Sequence, residues 1–220
     1  MNSNMKTIAS VVVLALLGGG AYFTFTRSHD GSMAGMDHSK MAMGAASDST
    51  KGYEAAMATM MKGMMQPFTG KADLDFVTGM VPHHQGAIDM AKVVLQFGKD
   101  PEIKKLAEAV VKAQDSEIAF MKEWLAKVDQ NTLAVSPDSA KANQAAMAVM
   151  MKNMMAPTTG NADVDFAKGM IPHHQGAIDM AKVALQFAKD PALLKLATDI
   201  VGAQEGEIAF MTDWLKRNGQ

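Results

Sequence analysis

The sequence predicts an all-α protein, an antiparallel four-helix bundle with pseudo-twofold symmetry flanked by methionine-rich helices. Three observations lead there. Apolar residues recur at helical spacing, and no segment combines strand alternation with turn chemistry. The chain also repeats itself at a constant offset of ninety residues: MVPHHQGAIDM at Met80–Met90 returns as MIPHHQGAIDM at Met170–Met180. About two-thirds of the positions aligned between the copies are identical.

Taken in order, the elements divide the chain at 1–27, 28–52, 53–128, 129–142 and 143–220. Residues 1–27 contain an uncharged apolar run, Ile8–Phe25, of eighteen residues. As a helix it would reach roughly 27 Å, close to the roughly 30 Å of a bilayer core. It ends in aromatic residues without a small-residue cleavage site, so an uncleaved membrane anchor is favoured over a removed signal peptide. Residues 28–52 form a polar tether, too poor in apolar residues to bury a core, with MAGMDHSKMAM at its centre.

Each copy then reads as three helices. The first, about Tyr53–Gln66, is rich in alanine and methionine and stops before Pro67 and Gly70. The second begins near Asp73 or Asp75, either of which can cap it, and runs to about Phe97. The third starts after Asp100-Pro101 and reaches about Lys127. There Ile103, Leu106, Val110, Ala113, Phe120 and Trp124 keep a helical period, interrupted by Glu117. Residues 129–142 link the copies, and residues 143–220 repeat the pattern. Two long amphipathic helices cannot bury both apolar faces alone. Pairing the second and third helices of both copies would complete one bundle, while two separate three-helix bundles are the rival arrangement.

Composition narrows the chemistry. A formal charge of −2 over 220 residues leaves no basic footprint for nucleic acid, and no glycine-rich phosphate loop or nucleophile motif is present. With no cysteine and 22 methionines, any soft-metal site must use thioether sulfur. Thioether with imidazole selects Cu(I), with Ag(I) as a mimic, and imidazole can also accept Cu(II). A di-iron bundle requires Glu-x-x-His pairs, which the chain lacks.

Four of the six histidines form the pairs His83-His84 and His173-His174, each preceded by proline and bracketed by methionines. Pro82 either kinks a helix, at about 3 kcal/mol, or begins one. Met80 shares a helix face with His83 and His84, and Met90 lies two turns beyond His83. Adjacent histidines diverge by about 100°, so at least one must reach across to another helix or serve a second ion. Met170 and Met180 stand in the same relation to His173 and His174.

On the first helix Met57, Met60, Met61, Met64 and Met65 share one face. That face suits packing or metal contact, and Met57, Met61 and Met64 are taken as candidate ligands with their counterparts Met147, Met151 and Met154. On the third helix Met121 and Met211 fit core and ligand roles equally. Glu117 and Glu207, carboxylates on an apolar stripe, need a partner: a histidine imidazolium, the second nitrogen of a metal-bound histidine, or a lysine. In the tether Met36, His38 and Met41 complete the candidate set.

These motifs resemble those of the bacterial family called domain of unknown function 305. Its pattern is a Met followed by HH-x-x-A-I-x-M-A and later by Q-x-x-E-I-x-x-M-x-x-W. MVPHHQGAIDMA with QDSEIAFMKEW matches it, as does MIPHHQGAIDMA with QEGEIAFMTDW. The resemblance implies a ferritin-like helical bundle and, as in some members, copper binding outside the cytoplasm. It points to Met80, His83, His84, Met90 and Met121 and their counterparts Met170, His173, His174, Met180 and Met211.

The expectation is therefore a non-enzymatic extracytoplasmic copper-binding protein for buffering, relay or resistance, with copper ions and other copper-handling proteins as partners. A metal-dependent oxidoreductase such as a Cu(I) oxidase on the same scaffold is one alternative. A structural or partner-binding helical bundle is another.

Overall fold

The computed structural model describes residues 46–154 and 157–220. The expected anchor, residues 1–27, and most of the tether, with Met36, His38 and Met41, lie outside the described residues. Among the described residues the protein is all-helical: α1 (Asp48–Met64), α2 (Ala72–Phe97), α3 (Pro101–Lys127), α4 (Pro137–Asn153), α5 (Ala162–Phe187) and α6 (Pro191–Arg217). No helix among them is long and apolar enough to cross a membrane.

Local chemistry sets the helix ends. Asp100 and Asp190 accept from the first free amides of α3 and α6, and Pro101 and Pro191 occupy the first turn, where no amide is needed. Ser47 caps α1, which therefore begins five residues ahead of the expected Tyr53. Ser136 and Pro137 likewise start α4 inside the stretch read as a linker. Neither start belongs to the repeated sequence, so the repeat pattern gave no sign of them.

The acidic residues at the head of α2 act differently from expectation. Lys71 occupies the cap position without a side-chain bond. Asp75 instead folds back on the preceding loop, accepting from Thr69 N, Thr69 Oγ1 and Gly70 N at 2.7–2.8 Å. Gly70 has a φ of 80°, which glycine adopts without strain. Asp73 leaves its own repeat altogether and accepts from Lys189 N and Asp190 N at 3.0 and 2.8 Å. Asp163 does the same in reverse, accepting from Lys99 N at 2.9 Å and Asp100 N at 3.3 Å. Each repeat thus reaches into the α–α connection of the other, and the two clasps are related by the pseudo-twofold axis.

At the centre α2 and α5 run antiparallel. Met180 Cε comes within 2.9 Å of where a Cβ on Gly79 would stand, and Met90 Cε within 3.0 Å of the same position on Gly169. Small residues along this crossing, including Ala87, Ala91, Ala177 and Ala181, are fully buried and let the backbones approach. Phe76, Phe166, Ile88, Ile178, Ile103 and Leu193 fill the surrounding core, each full burial stabilising by about 1.5–3 kcal/mol. Helix α1 packs on α2 and α4 on α5, flanking the bundle as the sequence predicts.

Asp73→Ala or Asp163→Ala leaves two amides without their acceptor and should lower stability by about 1–3 kcal/mol. The asparagine variants, which keep one acceptor oxygen, should lose less. Urea midpoints of the four variants check the ordering.

Candidate metal centre

The proline-preceded histidine pairs sit inside continuous helices, Pro82 within α2 and Pro172 within α5. In the first repeat Gly63 of α1 lies against Pro82, where an added Cβ would stand 2.7 Å from Pro82 Cβ. One turn on, Gly86 and Gly176 lie beneath methionines: a Cβ on either would stand 2.8 Å from the sulfur of Met60 or Met150 respectively.

The 100° divergence of adjacent helical residues then separates the two histidines of each pair. His84 turns toward α3, its Nε2 lying 2.6 Å from Glu117 Oε2, and His174 meets Glu207 of α6 at the same distance. His83 and His173 turn the other way and meet each other across the α2–α5 crossing, ring centroids 3.9 Å apart at 50°. All four rings have no solvent-exposed surface.

Hydrogen-bond satisfaction makes this cluster unusual. Buried polar atoms nearly always find a partner. Here both nitrogens of His83 and of His173, and Nδ1 of His84 and His174, have none, six of the ten such buried side-chain atoms among the described residues. Burial holds the His83 and His173 imidazoles well below their ordinary pKa, reinforced by the neighbouring imidazoles. Both are therefore neutral, the form whose nitrogen lone pair can bind a metal.

Thioethers complete the surroundings. A Cβ on Gly176 would lie 2.8 Å from Met150 Sδ and 3.3 Å from His83 Nε2, so sulfur and imidazole nitrogen converge over one glycine. Met60 occupies the symmetric place over Gly86. Sequence reasoning passed over Met60 and Met150 as ligands. Their signal was Gly86 and Gly176 inside PHHQGAIDM, which leave room for a side chain from a neighbouring helix.

The remaining candidates are distributed more widely. Met80, Met121 and Met180 are buried in one part of the core, and Met90, Met170 and Met211 in the symmetric part. Met90 and Met180 each lie against a glycine of the opposite repeat, Gly169 and Gly79. Met64 is buried; Met57, Met61, Met147 and Met154 are half-buried, and Met151 is exposed. Among the described residues no three His, Asp or Glu side chains converge as a metal cage. An ion here would need sulfur beside nitrogen. Unpartnered neutral imidazoles next to thioethers fit a soft monovalent ion and suit poorly a hard one that prefers oxygen.

This architecture, two helical repeats joined around paired histidines, defines the class. The family described as Domain of unknown function (DUF305) matches residues 73–215, and the chain belongs to it. Among solved structures, the silver-bound form of CopM is similar, at 34% identity over 69% of this chain and 98% of that one, with a TM-score of 0.52. The Cu(I)-bound form of CopM is 36% identical over 66% of this chain and 96% of that one, TM-score 0.50. A DUF305 protein from Streptomyces coelicolor is 30% identical over 67% of this chain and 94% of that one, TM-score 0.54. A shorter match, 45% identical over 53 residues, is to uncharacterized protein L153 of Acanthamoeba polyphaga mimivirus; it spans 24% of this chain and 35% of that protein.

The lowered histidine pKa values give a pH prediction. The unfolded chain takes up protons near pH 6.5, whereas native His83 and His173 resist protonation. The unfolded state then binds more protons, and stability of the metal-free protein falls as pH drops below about 6.5, by up to about 1.4 kcal/mol per pH unit for each histidine. Denaturation midpoints between pH 7.5 and 5 should show this slope, and His83→Leu/His173→Leu should flatten it.

Proposed function

We propose that this protein binds copper outside the cytoplasm, chiefly as Cu(I), and buffers or relays it without catalysing a reaction. The observation that carries the reading is the buried His83–His173 pair, with all four ring nitrogens unpartnered and methionine sulfur alongside. Desolvating such groups costs about 1–3 kcal/mol each unless something binds them, and a metal ion would recover that cost. Support comes from CopM, which has been solved with silver, Cu(I) and Cu(II).

In this reading His83 and His173 supply nitrogen, and Met150 and Met60 supply sulfur from the flanking helices. Glu117 and Glu207 orient His84 and His174 through their Nε2 atoms, leaving each Nδ1 to face inward as a further donor. Met80, Met121, Met180 and their counterparts Met90, Met170 and Met211 form a soft, polarizable wall that adapts to the ion. The candidates Met57, Met61, Met64, Met147, Met151 and Met154 line the approach along α1 and α4, while Met36, His38 and Met41 would capture ions ahead of the bundle.

Holding rather than turnover suits a site without solvent exposure, since an oxidase needs an open coordination position. An exterior location suits a thiol-free donor set, because thioether and imidazole tolerate an oxidising medium better than thiolate. The Ile8–Phe25 run would export or anchor the chain.

Titration of the purified protein with Cu(I) against a competing chelator tests the reading. At least one ion should bind tighter than micromolar, and His83→Ala/His173→Ala should weaken the tightest site by tenfold or more. A wild-type protein that leaves all Cu(I) with a micromolar chelator would overturn it.

A further inference from the structure

Helices α1 and α4 face one another across a groove of about 430 Å³ that is separate from the histidine cluster. Five methionines line it: Met61, Met64 and Met65 from the end of α1, and Met147 and Met151 from α4. Met61, Met64 and the C-capping Met65 stand at i, i+3 and i+4, and the two on α4 are one turn apart, so both sides of the groove carry sulfur. None of the described lining residues carries a charge, and the polar ones include the neutral amides Gln66 and Gln144. Among the described lining residues there is no histidine, aspartate or glutamate.

Single exposed apolar residues are ordinary on a protein surface. Here the exposed members belong to a cluster: Met65 is 75% and Met151 44% solvent-accessible, while Met64 at the floor is 4%. Pure packing would favour burial of the most apolar atoms. This arrangement instead leaves thioethers open to solvent at the mouth and buries them at the base. Methionine has three rotatable bonds, so neighbouring sulfurs can close on a common centre without backbone movement.

We propose that this groove is a second ion-binding site, built from thioethers alone and selective for Cu(I) or Ag(I). Its described lining, thioether and neutral amide without imidazole or carboxylate, suits Cu(II) and Zn(II) poorly. Thioether has no proton to lose, so affinity here is independent of pH, unlike that of a site containing histidine. Met64 stands one helical turn from Met60, whose sulfur lies over Gly86. An ion taken up at the solvent-facing groove is therefore one ligand exchange from the interior thioethers. The inference rests on the copper reading only for the identity of the physiological ion.

The test uses the full chain labelled with ¹³C at methionine methyls and titrated with Ag(I) at pH 7 and pH 5. The methyl signals of Met61, Met65, Met147 and Met151 should shift at both pH values. They should still shift in His83→Leu/His173→Leu. Met61→Leu/Met65→Leu/Met147→Leu/Met151→Leu, which keeps side-chain volume and helix propensity, should bind one Ag(I) fewer per chain by native mass spectrometry. His83→Leu/His173→Leu should lose a different ion and keep the groove methyl shifts. The milder Met65→Leu/Met151→Leu alters only exposed residues and should weaken the groove ion at least fivefold. Unshifted groove methyls, or an unchanged ion count in the fourfold variant, overturns the groove site while leaving the histidine site standing. A wild type that binds no ion at all overturns both.

Discussion

Two imidazoles pressed together in a dry interior, with no hydrogen-bond partner for any of their four nitrogens, set the constraint on which the rest of this structure depends. Each unpartnered polar group opposes folding by about 1–3 kcal/mol. Domains are stable by only about 5–15 kcal/mol in total. The chain must therefore hold His83 and His173 in place by interactions that do not involve them. Glycines and alanines along α2 and α5 bring the backbones close, the phenylalanine and isoleucine core surrounds the crossing, and the flanking helices seat methionines directly over Gly86 and Gly176.

The aspartate clasps make that arrangement a property of both repeats together. Because Asp73 ties α2 to the α5–α6 connection and Asp163 ties α5 to the α2–α3 connection, neither repeat can rotate away without exposing amides of the other. Trp124 Nε1 adds a further tie to Asp190 at 2.9 Å. Its counterpart Trp214 has no such bond, its buried Nε1 lacking a partner. The two halves are thus similar without being identical, as their diverged α3 and α6 sequences require.

Paired residues in the sequence take different parts in space for one geometric reason. Successive helical side chains diverge by about 100°. His84 and His174 consequently reach outward helices and are fixed by glutamate, which holds their tautomer and orientation. His83 and His173 reach the pseudo-twofold axis and each other. Both histidines of a pair are buried, yet only one is committed to a protein partner through its Nε2. The structure thereby divides each dipeptide between an imidazole anchored by glutamate and one left without a partner.

Helix number, helix type, the starts of α3 and α6, and the concentration of methionine and paired histidine were all legible in the sequence. They depend on local chemistry: apolar periodicity, aspartate caps followed by proline, and a composition of methionine without cysteine. The ninety-residue repeat also made the symmetry of the bundle visible. Only the tertiary structure decided which sulfurs accompany the histidines, since Met60 and Met150 look like any other member of a methionine stripe until Gly86 and Gly176 lie beneath them. It likewise decided that Asp73 bonds across the repeats, because a carboxylate at a helix start satisfies local and distant amides equally well in sequence terms. Distance between segments far apart in the chain is fixed by packing of the whole core, and no local pattern records it.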